Sequence, residues 1–203
     1  MKLTKLPLVA ALSLLVLSSN AWAQSTKRLI NEVNPFIGTS NFGTTNPGAV
    51  VPNGLMSITP FNVSGSPELN KFDKDKRWWS TPYTADNKFF SGFSHVNLSG
   101  VGCPELGSII VSASAGDLDV DYTHYGSAMS EEKAHPGYYS VQLDKHKIKA
   151  EVTATQRTAV SAFTFERGGK SNILVNLGLG LTNESGATVR FLNDSTIVGS
   201  KLM

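Results

Sequence analysis

The feature that most constrains this chain is a two-residue alternation that recurs along its second half. From Ile148 to Thr155, Ile148, Ala150, Val152 and Ala154 fall on one side, with Lys149, Glu151, Thr153 and Thr155 on the other. That is a strand with one face in a core and one in water. Tyr139-Ser-Val-Gln-Leu143 repeats the pattern, and Ser161-Ala-Phe-Thr-Phe165 directs Phe163 and Phe165 to one face. Ser108-Ile-Ile-Val-Ser112 and Asn172-Ile-Leu-Val-Asn-Leu177 are instead continuous apolar runs, which predict strands covered on both sides. Ala115-Gly116, Pro136-Gly137, Gly168-Gly169 and Ser185-Gly186 supply turns between them. No segment carries a long, capped 3.6-residue pattern, so helices are expected to be short. Strands about every ten residues with such turns between them predict a mostly β fold, an antiparallel β-sandwich.

Residues 1–23 read as a secretory leader: Lys2 and Lys5, an apolar run from Leu6 to Leu17, then small residues closing in Ala21-Trp22-Ala23 before Gln24. Its apolar run is shorter than the roughly 18 to 20 residues that span a bilayer, and no other stretch approaches that length. No cysteine stands at the cleavage point to take a lipid. The expectation is a periplasmic or secreted protein without a membrane anchor, residues 24–203 forming one sandwich domain. Two of the 18 Lys and Arg fall in the leader, leaving 16 against 16 Asp and Glu, so a basic surface for nucleic acid has no support. The one cysteine, Cys103, cannot close an intrachain disulfide, and stability must rest on an apolar core.

Most motif matches fail on chemistry. Asp117-Leu-Asp-Val-Asp121 spaces carboxylates like a calcium loop, but Tyr122 and Ala128 stand where an EF-hand needs Gly and Glu. Alternate Asp residues on a strand share a solvent face, which is the plainer reading. His95, His124, His135 and His146 show no zinc-site spacing. Gly92-Phe-Ser-His-Val lacks the second glycine of a nucleophile elbow, and Glu105 replaces the third glycine of a dinucleotide fingerprint. Cys103, beside Pro104, reads as a packing residue unless it belongs to a site.

What remains is a concentration between Arg77 and Gly107: Trp78, Trp79, Tyr83, Phe89, Phe90, Phe93, His95, Asn97, Ser99, Cys103 and Glu105. Aromatic faces offer sugars an apolar platform, and Asn, His and Glu side chains fix hydroxyl orientation. Core packing is an equally good account of Phe90 and Phe93. Ser64 to Asn87, polar and centred on Trp78-Trp79, reads as a long loop over the sheet.

These residues bring a family resemblance. Val33-Asn-Pro-Phe-Ile-Gly-Thr39, Asn46-Pro-Gly-Ala-Val-Val-Pro-Asn-Gly-Leu55 and Gly92-Phe-Ser-His-Val-Asn-Leu-Ser-Gly-Val-Gly-Cys-Pro104 resemble the N-terminal domain of glycoside hydrolase family 92. Ser130-Glu-Glu-Lys-Ala-His-Pro-Gly-Tyr-Tyr-Ser-Val141 and Ile148 to Arg157 continue the resemblance in order, with departures at Asn53 and at Ser40 to Thr45. The resemblance implies a bacterial, calcium-dependent exo-α-mannosidase that inverts the anomeric centre. It implies a sandwich packed against an all-helical (α/α)6 toroid, with acid, base and calcium ligands mainly in that helical domain and none of the calcium held by this segment. Ser195 to Leu202 looks like the middle of a strand, so the sandwich is expected to be incomplete at Met203.

An inverting glycosidase needs a general acid and a general base about 6.5 to 9.5 Å apart. Glu105 alone cannot serve as both. The expected role of this segment is therefore substrate contact and domain interface, through Trp78 or Trp79, His95, Cys103 and Glu105, with a mannose-containing glycan as ligand and no catalysis by the segment alone. The rival reading is a free-standing carbohydrate-binding sandwich module.

Overall fold

The computed structural model describes residues 29–41, 43–63, 80–166, 168–181 and 186–202. The leader, Trp78 and Trp79 lie outside the described residues. The chain divides into two units, Met1–Asn34 and Pro35–Met203. In the first, residues 29–31 form a helical turn, closed by the Glu32 amide on the Leu29 carbonyl at 3.2 Å.

The second unit is built from β1 (Ala49–Val50), β2 (Ser57–Phe61), β3 (Phe89–Phe90), β4 (Gly92–Asn97), β5 (Leu106–Ala115), β6 (Ser127–His135), β7 (Tyr138–Leu143), β8 (Ile148–Ala154), β9 (Ala159–Phe165), β10 (Ser171–Asn176), β11 (Gly186–Asn193) and β12 (Thr196–Leu202). A single-turn helix, α1 (Tyr122–Tyr125), joins β5 to β6. The first sheet runs β1-β2-β4-β5-β10, the second β3-β6-β7-β8-β9, and β11 and β12 make a separate hairpin. Their pairings are antiparallel. The architecture is the antiparallel sandwich that the alternation predicts.

The core lies between the two five-stranded sheets. Ala49, Ile58, Phe93 and Ala113 come from the first sheet, and Phe90, Met129, Tyr139, Val141, Leu143, Ile148, Ala150, Val152 and Ala154 from the second. β8 alternates as expected, its four apolar residues buried and Lys149 and Thr153 exposed. Phe90 meets Phe93 edge-on with ring centres 4.9 Å apart, a favoured aromatic arrangement. Phe61, Val63 and Ile110 form a smaller cluster with Leu179 and Leu181. Register explains the division, because directly paired residues share a face. Phe93 pairs with Val111 and Ala113 with Ile173, which places these on the core side.

Several expectations are corrected. The runs in β5 and β10 are not covered on both sides: Ile109, Ile173 and Val175 are exposed. Ile173 and Val175 lie on the core side of an edge strand that the second sheet does not cover, and with Leu118, Val120 and Tyr125 they line a cavity of about 350 Å³. Asp117 to Asp121 is not a strand; it is an exposed stretch in which Asp121 caps α1 by accepting the Thr123 amide at 2.9 Å. The described end of the Ser64–Asn87 segment, residues 80–87, does not lie loosely over the sheet. Ser80, Thr81, Tyr83, Thr84 and Asn87 are buried, and Tyr83 belongs to the core. The hairpin of β11 and β12 confirms the strand read from Ser195 to Leu202, but β11 is exposed along its whole length.

Candidate functional site

The sequence candidates fall around the connection between β4 and β5, residues 98–105. β4 and β5 pair as Phe93 with Val111, His95 with Ser108 and Asn97 with Leu106. Between the first two pairs, Ile109 and Ile110 oppose Ser94 alone, a bulge that turns Ile109 outward at φ +60°. Val96 at φ +56° and Leu106 at φ +61° are also left-handed, and such conformations cost side-chain-bearing residues roughly 1 to 3 kcal/mol each. The base of this loop is therefore strained, and packing and hydrogen bonds must hold it.

Asn97 provides much of that hold. Its amide donates to Ser57 Oγ on β2 at 2.7 Å, and Ser57 Oγ returns a bond to the Asn97 carbonyl at 3.3 Å. Its side-chain Oδ1 accepts from Ser94 Oγ at 2.7 Å, while Nδ2 donates to the Ser94 carbonyl at 3.1 Å.

Two further segments meet the loop, and Gly100 is where they join. The Gly100 amide donates to the Thr44 carbonyl at 2.7 Å, and its carbonyl accepts from Ser80 Oγ at 3.0 Å. Gly100 has φ +100°, a conformation that glycine adopts without a Cβ penalty. Segments 39–48 and 80–87 are also tied to each other, the Ala85 amide to the Thr39 carbonyl at 2.7 Å and the Asn41 amide to Asp86 Oδ2 at 2.9 Å. Buried Asn62 fixes 80–87 from beneath. Its Nδ2 donates to the carbonyls of Thr84 and Asn87 at 2.7 and 2.6 Å, and its Oδ1 accepts the Thr84 amide at 2.8 Å.

Within this cluster of three loops, Cys103 and Glu105 are exposed, which overturns the reading of Cys103 as a packing residue. Val101, at 93% exposure, and Leu98 add apolar surface to the same loop. Ser80, the residue after Trp79, stands at the junction. His95 precedes the exposed loop, half-buried in β4, with Nδ1 donating to the Ile109 carbonyl at 2.7 Å. A carbonyl only accepts, so Nδ1 carries the proton and Nε2 keeps its lone pair. Burial lowers the His95 pKa below the ordinary histidine value, the Ile109 bond opposing it. Phe89, Phe90 and Phe93 are buried, not part of an exposed platform.

Segment 80–87 is also pinned by a carboxylate. Glu132 Oε2 accepts from Tyr83 Oη and Tyr139 Oη, each at 2.8 Å, and Oε1 pairs with Lys88. Desolvation, followed by the charge of Glu132, raises the pKa of both phenols. The candidates named from the sequence do not include Thr44, Asp86 or Glu132, although the resemblance runs through Glu132 and the noted departure at Ser40 to Thr45 contains Thr44.

The remaining histidines are structural or solvent-facing. His146 bridges the Ala115 amide and the Tyr125 carbonyl, His124 pairs with Asp119 at 3.2 Å, and His135 stacks on Tyr138 with ring centres 4.7 Å apart. Among the described residues no three His, Cys, Asp or Glu side chains gather to hold a metal ion. No chemical step of this chain is derived through calcium. Among the described residues no helix is long and apolar enough to cross a membrane.

Comparison with known proteins agrees with the fold and adds a family. Residues 32–203 match the glycosyl hydrolase family 92 N-terminal domain. A family GH92 alpha-mannosidase from Bacteroides thetaiotaomicron, solved in complex with mannoimidazole, superposes with a TM-score of 0.73 at 30% identity, over 85% of this chain and 23% of that one. A second GH92 glycosyl hydrolase structure gives 0.66 at 27% identity over 85% of this chain and 24% of that one. An uncharacterized secreted glycosidase of Arthroderma benhamiae is 28% identical over 81% of this chain and 21% of its own length. The chain thus spans less than a quarter of the length of these relatives.

Proposed function

We propose, because the chain belongs to the glycosyl hydrolase family 92 N-terminal domain family, that its three-loop cluster is one wall of the sugar-binding site of an exported α-mannosidase. That enzyme removes terminal α-mannosyl residues from glycans with inversion. The observation that carries this reading is Gly100, held by Thr44 on one side and Ser80 on the other. It ties the loop that carries the exposed Cys103 and Glu105 to the segment that follows Trp79.

Trp78 or Trp79 supplies the apolar face on which the sugar rests, and Glu105 offers a carboxylate to its hydroxyls. His95 Nε2 offers an acceptor, and Cys103 belongs to the same contact surface. The acid and base sit in the remainder of the enzyme, about 6.5 to 9.5 Å apart across the sugar as inversion requires, and the calcium ligands lie there too. The Bacteroides mannosidase bound to mannoimidazole supports a mannose-like ligand, and the Arthroderma relative's description as secreted supports export.

The test compares Trp78→Ala and Trp79→Ala in the full-length enzyme by kinetics and thermal unfolding together. The variant that loses the sugar platform should drop about 5- to 150-fold in kcat/KM on a mannose disaccharide, as loss of about 1 to 3 kcal/mol of apolar contact implies. Its melting temperature should stay near wild type. If both variants unfold early, or both keep full activity, the loop is not a substrate wall.

A further inference from the structure

We propose that Asn97 is the positioning residue of the 98–105 loop, setting the direction in which Cys103 and Glu105 are presented; its consequence for sugar binding rests on the function proposed above. Asn97 and Leu106 are the pair that closes the loop. Val96, the residue before Asn97, its opposite number Gly107, and Leu106, the partner of Asn97, have φ of +56°, +62° and +61°. The chain thus enters and leaves the loop through left-handed residues, two of which carry side chains that disfavour that conformation. Extended neighbours do not fix this path by themselves.

Asn97 commits every polar atom it has to this spot. Its backbone amide and carbonyl exchange bonds with Ser57 on β2, and its side chain donates to and accepts from Ser94 on β4. Oδ1 also lies against β5, where a Cβ on Gly107 would come within 3.2 Å of it. Nδ2 also reaches the Ser57 carbonyl on β2 at 3.4 Å, so the side chain touches three adjacent strands at the point where the loop begins. Only a short amide does this: Asp loses the Nδ2 donor, Ala loses both groups, and Gln places them one methylene too far out.

The experiment uses the full-length enzyme carrying Asn97→Ala, Asn97→Asp or Ser57→Ala. Two readouts are taken, hydrogen exchange of the amides in 98–105 and KM against kcat on a mannose disaccharide. Asn97→Ala should speed exchange within 98–105 about tenfold while β7 and β8 keep their protection. KM should rise about 3- to 10-fold, as loss of one or two partly buried hydrogen bonds implies, with kcat within about twofold of wild type. Asn97→Asp and Ser57→Ala should fall between this variant and wild type, and they carry the test if Asn97→Ala does not fold. Unchanged exchange in 98–105 overturns the role of Asn97, whatever the kinetics. Faster exchange with an unmoved KM sustains the positioning role and overturns the sugar-binding reading of the loop instead.

Discussion

Replacing Glu132 by alanine tests whether segment 80–87 is held where the structure puts it. Glu132 Oε2 is the acceptor for two phenols, Tyr83 Oη and Tyr139 Oη, both at 2.8 Å. Both tyrosines are fully buried, so neither hydroxyl can turn to bulk water once the carboxylate is gone. An unsatisfied buried hydroxyl costs about 1 to 3 kcal/mol. The two share one acceptor and their losses are not additive, which brings the expected destabilisation to about 3 kcal/mol. Lys88 is more than half exposed, so its ion pair adds only about 0 to 1 kcal/mol. For a chain of this size 1 kcal/mol moves the midpoint by about 2 to 4 °C, so Glu132→Ala should melt about 6 to 12 °C below wild type. Glu132→Gln keeps an acceptor oxygen for the phenols and should lose less than half of that. Tyr83→Phe and Tyr139→Phe each remove a donor along with its need for a partner and should cost about 1 kcal/mol. Differential scanning calorimetry and urea unfolding of the four variants decide the matter. A Glu132→Ala midpoint within about 1 °C of wild type would refute the argument.

Three further outcomes are expected. The folded-state pKa of Tyr83 and Tyr139 is raised, so their contribution to stability is fully present below the unfolded value of about 10 and is lost as pH climbs above it. Urea midpoints should be flat from pH 7 to about 9.5 and fall steeply beyond, and Tyr83→Phe should blunt that fall; a flat profile to about pH 11 counts against it. A Cβ on Gly48 would lie 2.0 Å from Thr59 Oγ1 and 2.5 Å from the Ile58 carbonyl, so Gly48→Ala must push β2 aside. This should cost about 2 kcal/mol, or about 4 to 8 °C in the melting temperature, and a wild-type melting curve would dismiss it. The 203-residue chain alone should show no α-mannosidase turnover with calcium supplied, because substrate contact without an acid and a base does not break the glycosidic bond; turnover above a buffer blank sinks that expectation.

Strands such as β8 were legible because a strand with one wet face writes its burial into every second residue, as Ile148, Ala150, Val152 and Ala154 do. The apolar runs of β5 and β10 mislead for a physical reason. A continuous apolar run looks the same whether a second layer covers it or the sheet simply extends past that layer, and Ile173 and Val175 are the second case. Ile109 was turned outward by a bulge that depends on pairing with β4. β4 shows no strand signature in the sequence because its alternation is masked: Gly92, Phe93 and Ser94 are all buried in succession.

The candidate site was partly legible, and what was missed follows from how it is built. A search for chemistry-bearing side chains finds Cys103 and Glu105, both exposed on the 98–105 loop. It does not find the joint that gathers the loops, because that joint is largely backbone: the Gly100 amide on the Thr44 carbonyl, the Gly100 carbonyl under Ser80 Oγ, and the Ala85 amide on the Thr39 carbonyl. Main-chain groups are present at every residue except the proline N–H, so their partners leave almost no mark on composition or periodicity. What does leave a mark is the backbone conformation such a joint demands. Gly100 at φ +100° is the residue type that adopts this conformation without a Cβ penalty. Of the stretches that carry the family resemblance, Val33 to Thr39, Asn46 to Leu55 and Gly92 to Pro104 fall mostly on the converging segments and their flanks, while Ser130 to Val141 and Ile148 to Arg157 fall on β6, β7 and β8 of the second sheet. A strand can exchange one apolar residue for another of similar volume and keep its layer, whereas a loop joint admits few residues at each left-handed turn and each shared amide. The Gly92 to Pro104 stretch therefore holds the joint residue Gly100, which a search of reactive side chains passes over, although the stretch names none of the bonds that Gly100 makes.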